Sequence, residues 1–163
     1  MALNQPAPRF TLKTIASKRT IRLSDYGGRP VVLLFVDPNT GRATREVVVA
    51  IRRRIPDFAQ LPILTVVDLH IVPKLLRGTA ERFMESAYRS AAAEVPSVYD
   101  PADHLMLLPD WTGELARAYG VTNVSREIFL FIISPDGVID RSYQGPSPAV
   151  KAIEYLEKYF PSV

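Results

Sequence analysis

The chain has 163 residues, a formal net charge of +3 at pH 7 and no cysteine. Its length fits one domain over residues 1–163, and the lack of cysteine excludes disulfides, iron–sulfur clusters held by thiolates and zinc sites that use cysteine. The charge falls short of the dense positive field of a dedicated nucleic-acid binder. Residues 1–10 lack a signal-peptide pattern, and no apolar stretch approaches the ~18 residues that span a bilayer. We therefore expect a cytoplasmic protein with no membrane partner.

The predicted elements begin with two short strands, residues 9–12 and 20–23, which form an N-terminal β-hairpin. Residues 31–36 are a continuous apolar run, which is typical of a strand covered on both faces. A helix over residues 41–57 and a second buried strand over residues 62–68 follow. This order implies a parallel strand, helix, strand crossover.

The second half of the chain continues the alternation of helices and strands. An apolar cluster at residues 105–108 is predicted either to join the core or, if exposed, to support a homodimer, and core is favoured. The whole pattern predicts an α/β fold, a three-layer α/β/α sandwich with a helical insertion around residues 69–108. The remaining predicted elements are a helix over 78–94 with Phe83, Met84, Ala87, Tyr88 and Ala91 as its apolar stripe, a short strand at 97–99, a helix over 111–119, a hairpin of strands 128–133 and 138–143, and a closing helix over 151–160.

Four sequence motifs support a family resemblance. They are the entry segment Pro-Ala-Pro-Arg-Phe-Thr-Leu at residues 6–12, the run at residues 23–35, Ala-Tyr-Gly-Val at residues 118–121, and the late hairpin at residues 131–139. In this order the chain resembles the redoxins of the alkyl hydroperoxide reductase and thiol-specific antioxidant (AhpC/TSA, peroxiredoxin-like) family. The resemblance implies a thioredoxin-like fold and, for the family, an antioxidant or oxidoreductase role that depends on cysteine.

The reactive positions of that family are altered here. In the related thiol-disulfide oxidoreductases a Cys-x-x-Cys pair follows the first central strand, and a glutamate follows three residues later. Those positions correspond to Thr40, Ala43 and Glu46. Alanine offers no nucleophile, and a threonine hydroxyl has no sulfenic or disulfide state through which to cycle. We therefore expect no thiol-dependent turnover and no catalytic residue of that type.

A second departure lies before the late strand. The resemblance implies a cis-proline at this place, but residues 124–127 contain no proline, and a cis bond without proline costs ~3–4 kcal/mol. The usual peptide-docking edge is therefore in doubt. Arg126 is one candidate for the arginine that peroxiredoxins carry near this strand, although its offset does not match well.

A binding site is still predicted at the strand ends. The carboxyl ends of the parallel strands meet the connection before the late strand at one edge of the sheet, beside the first helix. Backbone N–H groups there suit a small anionic ligand. The simpler interpretation is an ordinary turn in which Asn39 or Thr40 caps the helix. The candidate binding residues are Asp37, Asn39, Thr40, Gly41, Arg42, Glu46, Asp68, His70, Trp111, Ser125 and Arg126.

Asp68 and His70 invite a metal interpretation, which the sequence does not favour. Alternate residues at a strand end point the same way in any strand, and His104 is the only other histidine. No metal and no cofactor are therefore expected. Trp111 is interpreted as an aromatic side chain packed on the sheet, with a place at the rim of the site as the alternative.

Two classes of function follow. The favoured one is a thioredoxin-fold module without thiol turnover that binds a protein or a small anionic ligand. The alternative is an enzyme with acid–base chemistry by Asp68, His70 or Glu46 near Arg126. The enzyme hypothesis predicts a closed pocket in which these groups converge, and the module hypothesis predicts a shallow or apolar site.

Overall fold

The strands form a short hairpin and one central sheet. The computed structural model describes residues 2–145 and 147–161. Val31–Val36 and Ile63–Asp68 are strands because their apolar side chains alternate between two covered faces, and every residue of both strands is buried. The strands are β1 (Thr11–Lys13), β2 (Thr20–Arg22), β3 (Val31–Val36), β4 (Ile63–Asp68), β5 (Met106–Asp110), β6 (Ile128–Ile133) and β7 (Ile139–Gly145).

Five α-helices connect or follow these strands in the described part of the chain. Three arginines, Arg52, Arg53 and Arg54, occupy the last turn of the first helix, where cations suit the helix dipole. None of the described helices has the length and apolar character needed to cross a bilayer. The helices are α1 (Gly41–Arg54), α2 (Arg77–Ala92), α3 (Pro101–His104), α4 (Glu114–Ala118) and α5 (Ala149–Leu156).

The central sheet has the order β5-β4-β3-β6-β7 and is mixed. Strands β3, β4 and β5 are parallel to one another, while β6 pairs with β3 and β7 in antiparallel fashion. The carboxyl ends of β3, β4 and β5 therefore share one edge with the amino end of β6. We call this the site edge.

Two apolar clusters cover the two faces of the sheet. Leu33 and Phe35 point into one cluster, which includes α4 residues and the N-terminal segment. Val32 and Leu34 point into the other, with side chains from α1, α2 and α5. The predicted layered α/β architecture is therefore confirmed. The N-terminal hairpin is confirmed as well, with Leu12 opposite Ile21.

Three predictions from the sequence are corrected within the insertion and after it. Residues 97–99 form a turn instead of a strand, and residues 106–110 form β5. The strand was missed because Pro109 suggests a loop, yet an edge strand tolerates proline. Met106 and Leu108 are 5% and 0% exposed, so the favoured core interpretation of this cluster is confirmed, and the premise for a homodimer through it is wrong. The predicted helix over residues 111–119 is shortened to α4.

The predicted apolar stripe of α2 is also partly wrong. Met84 is buried, and Tyr88 is half-buried. Phe83 is 60% exposed, and Ala87 is exposed as well. The reason is the orientation of the helix, because its inner side carries Glu81, Met84, Glu85 and Tyr88 and leaves Phe83 outside.

Candidate functional site

Buried aspartates end the three parallel strands at the site edge. Asp68 and Asp110 are the last residues of β4 and β5 and are opposite each other in the register, and Asp37 follows β3 directly. Their exposures are 4% for Asp37, 8% for Asp68 and 2% for Asp110. Buried carboxylates need partners. Each of the three accepts hydrogen bonds from its own local segment.

Asp37 organises the turn that leads into α1. Its Oδ1 accepts hydrogen bonds from the backbone N–H groups of Asn39 and Thr40, at 2.8 and 3.2 Å. Asp37 therefore caps the 3₁₀ turn Pro38–Thr40, while Thr40 is the N-cap residue of α1, as one of the two predicted candidates, but makes no capping hydrogen bond with its side chain. Asn39 itself is exposed.

Thr40, at the first family-cysteine position, has a fully engaged hydroxyl. Its Oγ1 accepts from the backbone N–H of Asp37 at 3.1 Å and donates to the carbonyl of the same residue at 3.0 Å. The side chain is 8% exposed. A hydroxyl held in this way has no base beside it to take its proton, so Thr40 is a structural residue of the turn.

The other family positions carry no reactive group. Ala43 is half-buried and packs against the cluster on the α1 side of the sheet. Glu46 has an exposed side chain that pairs with Arg42 four residues earlier, at 3.5 Å. Both members of the pair are exposed, so the pair contributes little to stability. Gly41 is also exposed, which leaves the first turn of α1 open to solvent.

Asp68 at the end of β4 and His70 in the turn after it form a hydrogen-bonded pair. Asp68 Oδ1 lies 2.7 Å from His70 Nδ1 and accepts the backbone N–H of His70 at 3.1 Å. The carboxylate is buried, whereas the imidazole is about half exposed. This contact fixes the ring orientation and leaves Nε2 as the outward nitrogen.

Asp110 positions a turn that the sequence analysis did not recognise. Its carboxylate accepts backbone N–H groups from Gly113 and Leu115 at 3.1 Å and from Ala116 at 3.4 Å. Gly113 has a φ of +71° and lies against the His70 side chain. An aspartate followed three residues later by glycine was the available signal, but it was obscured because β5 had not been identified.

Arg117 is a further residue of the site edge that sequence reasoning missed. Its Nη1 donates to the carbonyl of Thr112 at 3.1 Å, and it lies next to Gly113 on the side of His70. Arg117 is exposed. The imidazole and this guanidinium therefore border the same small glycine.

Trp111 lies between the site edge and α2. It is half-buried and packs on the cluster that includes α1 and α5 residues. The guanidinium carbon of Arg77 lies 5.2 Å from the centre of its ring, which is a cation–π contact. The interpretation of Trp111 as a packed aromatic side chain fits this arrangement.

Ser125 and Arg126 do not join the Asp68–His70 pair. Both are exposed, and Ser125 Oγ donates to Asn123 Oδ1 at 2.9 Å. Among the described residues, Arg126 forms no hydrogen bond or ion pair with Asp68 or His70. Strand β3 lies between β4 and β6, so this separation follows from the strand order. No cis peptide bond occurs in the part of the chain that the structure describes.

Exposed residues along the site edge leave it open to solvent, and neither of two small cavities is lined by its aspartates or by His70. One, of about 120 Å³, is lined by Tyr119 and residues of β6 and β7. The other, of about 80 Å³, is lined by residues including Tyr26, Arg29 and His104. Within residues 2–145 and 147–161, no three His, Cys, Asp or Glu side chains are arranged to hold a metal ion.

Comparison with known structures identifies the fold class as thioredoxin-like. A putative thiol:disulfide interchange protein DsbE from Chlorobium tepidum aligns with a TM-score of 0.64 and 21% identity, covering 98% of this chain and 96% of that one. The exposed lipoprotein thioredoxin Etrx1 from Streptococcus pneumoniae aligns with a TM-score of 0.63 and 20% identity, over 91% of this chain and all of that one. StoA from Bacillus subtilis aligns at 0.61 and 17% identity, over 93% and 98%.

The sequence itself then defines the family. The profile of the AhpC/TSA family matches residues 3–142, and the chain belongs to that family. No curated protein shows significant sequence similarity to the chain. The chain is thus a member of the AhpC/TSA family that contains no cysteine.

Proposed function

We propose that this protein is a binding module that keeps the redoxin frame without thiol turnover. The observation that carries the proposal is the state of the two family-cysteine positions. Thr40 has its hydroxyl bonded to the backbone of Asp37, and Ala43 has no reactive atom. Peroxide or disulfide reduction in this family requires a thiolate, and the chain contains no sulfur nucleophile at any position.

The ligand that suits the site edge is a small anionic group, either free or on a protein. The aspartates there are buried and accept local N–H groups, whereas the exposed side chains include His70, Arg117 and Arg126, with Arg42 paired to the exposed Glu46 and a further exposed carboxylate at Glu114. The open edge also suits binding better than a reaction that must exclude water. Shape and surface charge therefore support a carboxylate or phosphate as the recognised group.

The loss of thiol turnover is tested by restoring the missing residues. The unmodified protein and the double variant Thr40→Cys with Ala43→Cys are compared in peroxide-consumption and insulin-disulfide reduction assays. We expect no activity from the unmodified protein and measurable activity from the variant, because the N-terminus of α1 lowers the pKa of a cysteine placed there. A matched double variant, Thr40→Ser with Ala43→Ser, should stay inactive. Turnover by the unmodified protein would disprove the proposal.

The binding part is tested with inorganic phosphate as the probe. Backbone amide NMR should show saturable shifts at His70, Gly113 and Arg117, and Arg117→Ala should weaken them. Lys151, exposed at the start of α5, supplies the matched control Lys151→Ala, which should leave the titration unchanged. Anion binding at the site edge would be contradicted if phosphate caused no shifts there. It would also be contradicted if the shifts in Arg117→Ala equalled those in the unmodified protein.

A second function is favoured by one specific contact, the 2.7 Å bond between Asp68 and His70. A carboxylate that orients an imidazole is the arrangement of a general base. The hydrolysis of p-nitrophenyl acetate distinguishes this function from a binding module. If the module is correct, His70→Ala leaves the rate unchanged. A rate that falls in His70→Ala and follows an imidazole pH profile in the unmodified protein would favour the enzyme instead.

A further inference from the structure

The outer side of α2 and of the turn before it is both apolar and cationic. We call the exposed residues from Ile71 to Ser90 the α2 surface, and the structure describes all of this range. Four large apolar side chains lie on it, with exposures of 71% for Ile71, 96% for Leu75, 52% for Leu76 and 60% for Phe83. Such a concentration of exposed apolar side chains is a mark of an interaction site.

The charges of the α2 surface have one sign. Lys74, Arg82 and Arg89 are exposed, whereas Glu81 and Glu85 are half-buried on the inner side of the helix. No exposed residue between Ile71 and Ser90 is acidic. The surface therefore presents cations and apolar side chains with no carboxylate among them, and its partner must offer negative charge beside apolar material.

The packing of α2 leaves this side of the helix free. Met84 is the one residue of the helix that is fully buried, although α2 has 16 residues and is about 24 Å long. Leu76 and Phe83 are seven positions apart and lie on the same side, as helical geometry requires. Phe83 on α2 and the three apolar residues of the preceding turn are thus left exposed on the side of this segment that does not pack on the sheet.

The shape of the α2 surface selects among anionic partners. It consists of the outer side of a helix and of a turn whose Leu75 is almost fully exposed, and neither of the two cavities described above is lined by its residues. A convex helix with a protruding leucine offers no groove for a peptide. A second copy is disfavoured, because both sides of an isologous contact would carry Lys74, Arg82 and Arg89 and neither would offer an exposed carboxylate to pair with them.

We propose that the α2 surface lies on anionic lipid bilayers, with Leu75, Leu76, Ile71 and Phe83 in the headgroup and acyl boundary. Lys74, Arg82 and Arg89 then face the lipid phosphates, as in helices that lie in the membrane interface. The sequence-based expectation of no membrane partner considered a spanning segment, and a helix that lies on the surface needs none. The inference is independent of the proposed ligand site.

The test is co-sedimentation with vesicles of phosphatidylcholine alone or mixed with phosphatidylglycerol. The full chain should bind the mixed vesicles, bind phosphatidylcholine weakly, and dissociate as salt rises. Leu75→Ser should weaken binding roughly tenfold, because a protruding leucine loses its place in the lipid. Arg82→Glu should weaken it by more than about tenfold, since two charge units change near the lipid phosphates.

Two matched variants separate the α2 surface from general effects. Arg53→Glu makes the same change of net charge at an exposed position on α1, and Val98→Ser removes an exposed aliphatic side chain elsewhere. Both should bind like the unmodified protein, and circular dichroism should show that all four variants are folded. Equal loss in Arg53→Glu and Arg82→Glu, equal binding to both vesicle types, or no binding at all would overturn the proposal. Dimerisation in solution that is abolished by Phe83→Ser would also overturn the proposal, because the α2 surface would then bind a second copy.

Discussion

The buried aspartates of the site edge show how one residue type serves different purposes at equivalent positions. Asp37 caps the turn into α1, Asp110 accepts three backbone N–H groups at the start of α4, and Asp68 orients His70. The third arrangement holds an imidazole that is about half exposed to solvent. The chemistry available at this edge therefore depends on His70 and its neighbours more than on the number of acids.

Gly113 permits the close approach of the β5–α4 turn to His70. With φ at +71°, an added Cβ would lie 3.0 Å from His70 Cβ, which is tighter than ordinary contact. We expect Gly113→Ala to lower the free energy of unfolding by about 2 kcal/mol or more, since left-handed strain of about 1–2 kcal/mol is combined with a steric clash. Urea unfolding measures the effect, and the NMR signals of His70 should shift.

Gly137 provides the control for that substitution. It also has a positive φ, +81°, but nothing lies within 4 Å of the position of its Cβ. Gly137→Ala should therefore show the backbone strain alone, about 1 kcal/mol, and leave His70 undisturbed. Equal destabilisation by the two substitutions would mean that His70 moves aside freely and that the close packing is unimportant.

Individual site residues could be predicted only where the contacts are local in sequence. Asp68 ends β4 and His70 follows it by two residues, so their proximity is a contact local in sequence. Arg117 and His70 border the same glycine because β4 pairs with β5, which brings together residues 47 positions apart in the sequence. No local pattern carries that information. The enzyme hypothesis required Arg126 to join the Asp68–His70 pair, and among the described residues Arg126 forms no hydrogen bond or ion pair with either member; the strand order that places β3 between β4 and β6 is likewise absent from the local sequence.

Among the elements, the strands with continuous apolar runs were predictable and the peripheral ones were not. Residues 31–36 and 128–133 coincide with β3 and β6 because both strands are buried between helices. Strand β5 lies at an edge, is only partly buried, and contains Pro109, so its sequence resembles a loop. The sequence predicts helix α2 itself but not the direction in which it faces. The predicted apolar stripe includes Phe83, which is exposed in the structure.

The sparse packing of α2 leads to a prediction about local stability. Helix α1 buries Val47 and Ile51, whereas Met84 is the fully buried residue of α2. Regions with few buried apolar contacts open at lower free energy than the global unfolding. We expect the backbone amides of α2 to exchange with deuterium at least about tenfold faster than those of α1, as measured by hydrogen exchange with mass spectrometry.

Met84→Ala tests the reason for this difference. Removing the buried side chain should accelerate exchange in α2 further and leave α1 nearly unchanged, because the two helices make few contacts with each other. A matched change on the outer side, Phe83→Ala, should have little effect on exchange in solution. Protection of α2 equal to that of α1 would contradict the picture of a loosely attached helix.

For the molecule as a whole, burial of ionisable groups sets the response to alkaline pH. Tyr26 is 9% exposed, and burial raises its pKa to about 12, with a smaller contribution from the charge of Asp25. Arg52 stacks on Phe58 at 4.0 Å, and burial lowers the pKa of its guanidinium to about 10. Both groups lie near the end of the sheet that is remote from the site edge. Above pH 10 one of them lowers stability and the other raises it.

The direction of each effect follows from proton counting. Between pH 10 and 12 folded Tyr26 keeps a proton that the unfolded chain releases, so its contribution to stability is complete below pH 10 and is lost as the pH rises. Folded Arg52 releases its proton earlier than the unfolded chain does, so its contribution becomes more favourable as the pH rises from about 10. The alkaline profile of the unmodified protein is therefore a sum of opposing slopes.

Tyr26→Phe isolates the first slope, because Arg52 is present in both proteins. We expect nearly equal stabilities at pH 9 and a relative gain for the Phe variant of about 2 kcal/mol by pH 12, since the pKa difference is about two units at 1.36 kcal/mol per unit. Urea unfolding at a series of pH values measures the difference. Parallel profiles from pH 9 to 12 would show that the Tyr26 hydroxyl ionises as readily in the folded protein as in the unfolded chain.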